Sequence, residues 1–297
     1  MQAKTAGQPA AQDPVAALPR AGNWVRTRSQ VLVCWDGLSE PWSRIQLDAP
    51  ADFDWILFDT SGRQAAGQRQ LRGQSCRVLS AEVEGKGQVY QALADHLAAN
   101  SEVPDYVALI DAAVLLSTSS INRLLHLAAS EGLDVCAPAL SHDSSCAHRW
   151  SLRQASLMFR ELDWVEMTMP FYRGSLFMAG REQYRGHVSS AGMDCYLMPT
   201  LQQLTGLKRC VLVDAVMACH RPPAGQGPQV YRNGRSAGEE AAAVKAHCIA
   251  LIQSRQPELL QSEWFRRLFE QGPARSRWQQ VKDGLGRRLR RWLEAST

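Results

Sequence analysis

The sequence predicts an α/β fold, a sandwich built on a mostly parallel central sheet. Three observations carry that expectation: short apolar runs rich in β-branched and aromatic residues, helix-length stretches between them, and an aspartate closing several of the runs. Runs that are apolar throughout suit strands buried on both faces, which is the situation in a parallel sheet covered by helices. With 297 residues, 45% of them hydrophobic and 21% charged, the chain has the composition of a globular protein with a full core.

The elements follow in order. Residues 1–22 are Ala/Gln/Pro-rich and aperiodic, so a flexible leader is expected there, and they hold no continuous apolar stretch of the kind a signal peptide needs. Strands are expected at VLVCWD (31–36), WILFD (55–59), CRVLS (76–80), YVALID (106–111), VCAPAL (135–140) and CVLVD (210–214). Helices are expected over Gly87–Ala99 and Thr118–Ser130, the second opened by a Ser/Thr cluster and closed by Gly132. WVEMTMPFYR (164–173) reads as a further strand, at a sheet edge because Pro170 removes a ladder donor, and Met193–Leu204 as a helix. A turn-rich linker over 223–237 then separates a domain of residues 23–222 from a helical extension over 238–297.

Charge and cysteine usage narrow the function class. The eight cysteines are scattered with no Cys-x-x-Cys pair, as expected of reduced thiols in a cytoplasmic protein, and no stretch reaches the length of a bilayer span. Of the net charge of +4, residues 275–297 hold seven Lys or Arg against two acids, leaving residues 1–274 at −1. A near-neutral body argues against a nucleic-acid partner, which would demand a broad basic face. In the tail, Trp278, Val281, Leu285, Leu289 and Trp292 recur at spacings of three and four beside Arg287, Arg288, Arg290 and Arg291. Residues 275–293 are therefore expected to form a basic amphipathic helix that meets an anionic membrane surface or acidic partner, or else packs on the domain with its arginines solvated.

Asp36, Asp59, Asp111 and Asp214 each close an apolar run, and in open α/β sheets ligands bind outside the carboxyl ends of the strands. Such carboxylates either border one crevice or cap the turns that follow. In a crevice they suit a divalent Mn or Mg ion and a phosphorylated ligand, since hard oxygen donors bind those metals and the metal offsets phosphate charge. There is no dinucleotide fingerprint and no P-loop; EGKG (84–87) offers Lys86 to a phosphate or to solvent. Strand alternation places Trp164, Glu166 and Thr168 on one face, so Glu166 is expected to line a polar crevice, where it could orient substrate hydroxyls. The loop SHDSSCAHRW (141–150) follows a strand and presents Ser141, His142, Ser144 and His148 to an acceptor.

These segments also carry a resemblance. VLVCWDG (31–37), YVALIDAAV (106–114), GLDVCAPALS (132–141), DWVEMTMPFYR (163–173), AGMDCYL (191–197) and CVLVDAVMACH (210–220) fall in the order of the family called domain of unknown function 707. That family looks like GT-A type glycosyltransferases, and the resemblance covers roughly residues 30–221. It implies a nucleotide-diphospho-sugar transferase sandwich whose donor site includes Asp36, Asp59, Lys86 and Asp111. Asp194 would be the general base, with Glu166 as a second catalytic carboxylate, Asp111 would be a metal ligand, and His220 a metal or phosphate ligand. The chain departs from the pattern twice. Asp-x-Asp becomes Asp111-Ala112-Ala113, and the family's GWG-D turn becomes Ala191-Gly192-Met193-Asp194.

Two functions follow as expectations. The first is a glycosyltransferase that moves a sugar from a nucleotide-diphosphate donor to a glycan or lipid-linked acceptor, with a divalent metal as Lewis acid where one is used. The second is a non-catalytic glycan- or nucleotide-binding relative, for which the loss of the second Asp-x-Asp carboxylate speaks.

Overall fold

A computed structural model describes residues 27–222 and 230–272. The leader, residues 223–229 of the linker and the basic segment 275–293 lie outside these residues. Seven strands form the central sheet: β1 (Ser29–Trp35), β3 (Asp54–Asp59), β5 (Gln74–Ser80), β6 (Tyr106–Ile110), β8 (Val135–Leu140), β10 (Phe171–Arg173) and β11 (Cys210–His220). Their spatial order is β5-β3-β1-β6-β10-β8-β11. Neighbours β5/β3, β3/β1, β1/β6 and β8/β11 are parallel, while β10 runs antiparallel between β6 and β8. The expected mostly parallel α/β sandwich is present.

Alternation along the strands divides the core in two. Leu32, Ile56 and Leu109 face one side, packed by helices α1 (Lys86–Ala99), α3 (Gly174–Ala179), α4 (Met198–Thr205) and α5 (Ala237–Arg255). Val31, Val33 and Leu57 face the other, where helix α2 (Thr118–Glu131) lies. The Ser117 hydroxyl caps α2 by accepting the Ser120 N–H, and Gly132 ends it at φ 63, as its Ser/Thr start and glycine stop imply. Helix α5 sets Val244, Cys248 and Ile252 into the first core, one every fourth residue on a single face.

Short strands extend the sheet at both ends. β4 (Gly67–Leu71) joins β5 through a two-residue hairpin turn, with Arg72 and Gly73 both at positive φ, the type I′ geometry that matches strand twist. β2 (Ile45–Gln46) pairs with β7 (Val114–Ser117), which pairs antiparallel with the end of β11, and β9 (Phe159–Glu161) pairs with the middle of β11.

Two sequence expectations are corrected here. Residues 164–170 form no strand: only Phe171–Arg173 joins the ladder, and it does so in the middle of the sheet rather than at an edge. Pro170 precedes that strand, and its carbonyl accepts the Leu109 N–H, so its missing donor costs the ladder nothing. The second concerns Asp214, which does not close a strand. β11 continues to His220 through a register shift between Val213 and Met217, and Asp214 sits in that bulge, fully buried. There Arg160 grips both carboxylate oxygens, Nε to Oδ2 at 2.6 Å and Nη2 to Oδ1 at 2.8 Å, while the Gln154 N–H donates to Oδ1 at 2.6 Å. Asp214 is thus a structural anchor of the β11 bulge.

Candidate functional site

Parallel pairing sets the carboxyl ends of β6, β1 and β3 side by side. Val33 pairs with Ile110 and Trp35 with Asp59, so Asp36, Asp59 and Asp111 leave the sheet at one edge, within a residue or two of the same level. The three carboxylates then do different things.

Asp59 is fully buried and saturated. Its Oδ1 accepts the Ser61 N–H and hydroxyl, and its Oδ2 the Gln64 N–H and Ser80 hydroxyl, at 2.6–2.9 Å. Burial alone would raise its pKa, but these four bonds outweigh it and hold the carboxyl down at about 2. With both oxygens committed, Asp59 shapes the loop after β3 rather than meeting a ligand directly. A Cβ at Gly37, which has φ +72, would come within 2.3 Å of Asp59 Oδ1, so the turn after β1 can lie against this carboxylate only as glycine. Asp36 is exposed, and its Oδ1 accepts the Leu38 and Ser39 N–H groups and the Ser39 hydroxyl, closing an Asx turn at the crevice mouth.

Asp111 is paired. Its Oδ1 lies 2.6 Å from the Lys86 ammonium, whose side chain is only 10% exposed and which also donates to the Met167 carbonyl and, at 3.3 Å, to the Thr168 carbonyl. The lysine is held by its flanking glycines. A Cβ at Gly85 would lie 2.4 Å from the Val188 carbonyl oxygen, and one at Gly87 2.2 Å from that of Ser189. The Gly87 N–H donates to the Val188 carbonyl at 3.0 Å. EGKG is therefore a close-approach turn pressed on residues 187–189 rather than a solvated one.

The same loop leads to Asp194. Gly192, at φ +81, lies so near helix α5 that a Cβ would stand 2.9 Å from Ala241 Cα. Asp194 follows in a π turn over Met193–Leu197 that runs into α4. Its Oδ1 accepts the Cys195 N–H at 2.8 Å. Burial pushes the Asp194 carboxyl up to about 6, against the opposing pull of that hydrogen bond and of the nearby Lys86 charge. A carboxylate that titrates near neutrality suits proton abstraction.

Glu166 is buried at 8% exposure in an irregular segment whose residues of both parities are buried, so the strand-alternation argument for its crevice position fails. Its Oε1 accepts the His148 N–H at 3.1 Å. Burial raises its pKa, and the charge of Asp194 adds to the rise, placing the two acids within electrostatic reach. Around Glu166, His148 stacks on Trp150 with ring centroids 5.4 Å apart, and Trp164 meets both rings edge-on at 5.0 Å.

The 141–148 loop is divided between two neighbourhoods. Ser141 and Ser144 share a hydroxyl contact at 2.9 Å, and Ser144 Oγ accepts the His220 N–H at 3.1 Å. His142 is exposed, whereas His148 adjoins Glu166. His220 turns its Nδ1 to the Ser145 carbonyl at 3.0 Å, which ties the end of β11 to this loop.

A divalent metal does not fit the residues present. Asp111 is engaged by Lys86, the next carboxylate of Asp-x-Asp is replaced by Ala113, and His220 is tied to the 141–145 loop. Among the described residues no three His, Cys, Asp or Glu side chains converge as ligands, and Asp111 and His220, the expected metal ligands, each hold another partner.

Glu240, which sequence reasoning missed, is 1% exposed on α5 and accepts the Val188 and Ser189 N–H groups at 3.1 and 2.6 Å and the Asn233 amide at 2.6 Å. It holds the loop between Lys86 and Asp194 from behind. A signal existed: 240, 244, 248 and 252 recur every fourth residue, and an acid in such an apolar stripe needs partners.

No protein-family model matches the chain, and no curated protein matches it in sequence. Solved structures do match its fold. The crystal structure of S. aureus TarS residues 1–349 in complex with UDP-GlcNAc superposes with a TM-score of 0.53 at 12% identity, covering 82% of this chain and 73% of that one. GalNAc-T7 with UDP, GalNAc and Mn²⁺ gives a TM-score of 0.50 at 12% identity over 82% of this chain. The matched region spans 54% of the length of GalNAc-T7. These likenesses show the fold, an α/β sandwich of the GT-A glycosyltransferase type.

Proposed function

We propose that the protein is a glycosyltransferase that uses a nucleotide-diphosphate sugar, a reading consistent with kinship to domain of unknown function 707. The observation that carries it is the convergence at one sheet edge of the turns bearing Asp36 and Asp111 with Lys86, beside a carboxyl raised to about 6 at Asp194. The carboxyl ends of parallel strands are where ligands bind in open α/β sheets. Asp194 takes the proton of the acceptor hydroxyl as that oxygen attacks the anomeric carbon, and the diphosphate leaves with the electron pair of the broken bond. Glu166, whose carboxyl is raised by burial and by the charge of Asp194, serves to hydrogen-bond a sugar hydroxyl. The His148 end of the 141–148 loop adjoins Glu166, which supports an acceptor, glycan or lipid-linked, on that side.

Titration calorimetry with UDP, GDP and their sugar conjugates tests the donor class. Binding of one diphosphate in the micromolar range is expected. Absence of binding by every nucleotide at millimolar concentration would remove the reading.

A second reading, a non-catalytic binding relative, draws on the substitution of Asp-x-Asp by Asp111-Ala112-Ala113. It shares the donor binding but not turnover. Donor binding without sugar transfer or donor hydrolysis over a panel of acceptors would favour it.

A further inference from the structure

We propose that the Lys86 ammonium occupies the cation position of this site, so that the protein binds its donor diphosphate without a divalent metal. This inference rests on the nucleotide-sugar reading above. The ammonium is surrounded by one carboxylate oxygen, from Asp111 at 2.6 Å, and two backbone carbonyls, those of Met167 and Thr168. An oxygen-only donor set of this kind is what a hard cation takes, and an ammonium with three N–H donors is satisfied by the same three oxygens. The lysine did not arrive there by drifting in from solvent. Gly85 and Gly87 permit its backbone to press against Val188 and Ser189, and Glu240 fixes those two residues from the other side.

The charge balance gives the arrangement its consequence. Asp111 lies at a sheet edge shared with Asp36, its partner Lys86 also acts on Asp194, and a diphosphate approaching unpaired carboxylates would be repelled. In a metal-dependent site an ion answers that repulsion. Here Ala113 stands where Asp-x-Asp would place its second carboxylate, and Lys86 cancels the charge of Asp111 from within the chain. As the bond between the anomeric carbon and the diphosphate oxygen breaks, its electron pair passes to the diphosphate, whose growing negative charge faces the ammonium. The acceptor proton passes to Asp194.

Calorimetric titration of the full chain with UDP and GDP, in excess EDTA and again in excess MnCl₂, tests the proposal. The affinity of the diphosphate that binds is expected to agree between the two conditions within about twofold. Lys86→Met, which leaves Asp111 unpaired, should lose affinity about tenfold or more in EDTA and recover part of it with Mn²⁺. Lys86→Arg, which keeps the charge, should bind in EDTA more tightly than Lys86→Met. Wild-type binding that collapses in EDTA and returns with Mn²⁺ would overturn the lysine's role while leaving the transferase reading intact. Equal affinity of wild type and Lys86→Met in EDTA would overturn it as well. Silence toward both nucleotides in both conditions would overturn the proposal together with the reading it rests on. The wild-type comparison needs no variant, so a substitution that fails to fold does not shield the proposal.

Discussion

Asp194→Asn is expected to lower sugar transfer by about 100- to 10,000-fold, the usual worth of a positioned general base, while leaving donor affinity within about twofold of wild type. The substitution keeps the shape and the Cys195 N–H contact but removes the lone pair that takes the proton. Turnover is read by a coupled assay for nucleoside diphosphate release, and affinity by calorimetry. The pH profile sharpens the test. Because burial raises the carboxyl to about 6, the active, ionised form is complete above that pH, and the rate should fall about tenfold per unit below it. An Asp194→Asn enzyme with wild-type turnover, or a rate that is flat from pH 7 to 5, would assign the proton to another group.

The second large effect concerns stability rather than chemistry. Arg160→Met should lower unfolding stability by about 3–5 kcal/mol, because it strands the fully buried Asp214 carboxylate without its countercharge. The guanidinium also donates to the Trp150 and Leu152 carbonyls at 2.6 and 2.7 Å, so the same change frees the 150–152 segment beside the Glu166 pocket. A melting temperature lower by roughly 6–20 °C is the expected reading for a domain of this size. The double variant Arg160→Met, Asp214→Leu should regain most of the loss, since an apolar pair of similar volume avoids burying either charge. A single variant that melts like wild type would mean that the bulge of β11 holds its shape without the ion pair.

Much of the sheet was legible because its parallel strands announce themselves. WILF and YVALI are buried along their whole length and VLVCW at every residue but Cys34, and each is followed or closed by an aspartate at the edge where ligands bind. The strands that escaped notice lack that mark. β4, GQRQL, has no apolar period and exists because a two-residue turn returns it along β5; β2 is two residues long. WVEMTM misled for the opposite reason. It is apolar enough for a strand, but its burial comes from packing against aromatic rings and a backbone ladder forms only from Phe171. Asp214 looked like a strand end because a carboxylate in an apolar run usually is one, and nothing local marks Arg160, 54 residues earlier, as its partner. The site was half visible on the same logic. Asp111, Lys86 and Asp194 could be picked out singly, but that Lys86 closes on Asp111 is a product of strand order, not of spacing.

Helix α5 lies beyond residues 30–221, where the sequence motifs fall, yet through Glu240 and the Gly192–Ala241 approach it shares its fate with the loop that frames Lys86 and Asp194. A helix fastened in this way cannot open locally without releasing the Val188 and Ser189 amides, so the two stretches belong to one cooperative unit. Hydrogen–deuterium exchange should therefore find those two amides exchanging at the rate of the α5 interior. A bound diphosphate should slow exchange along α5 through this linkage alone, without contact between nucleotide and helix. Exchange at Val188 and Ser189 that runs much faster than in α5 would show the two to open separately.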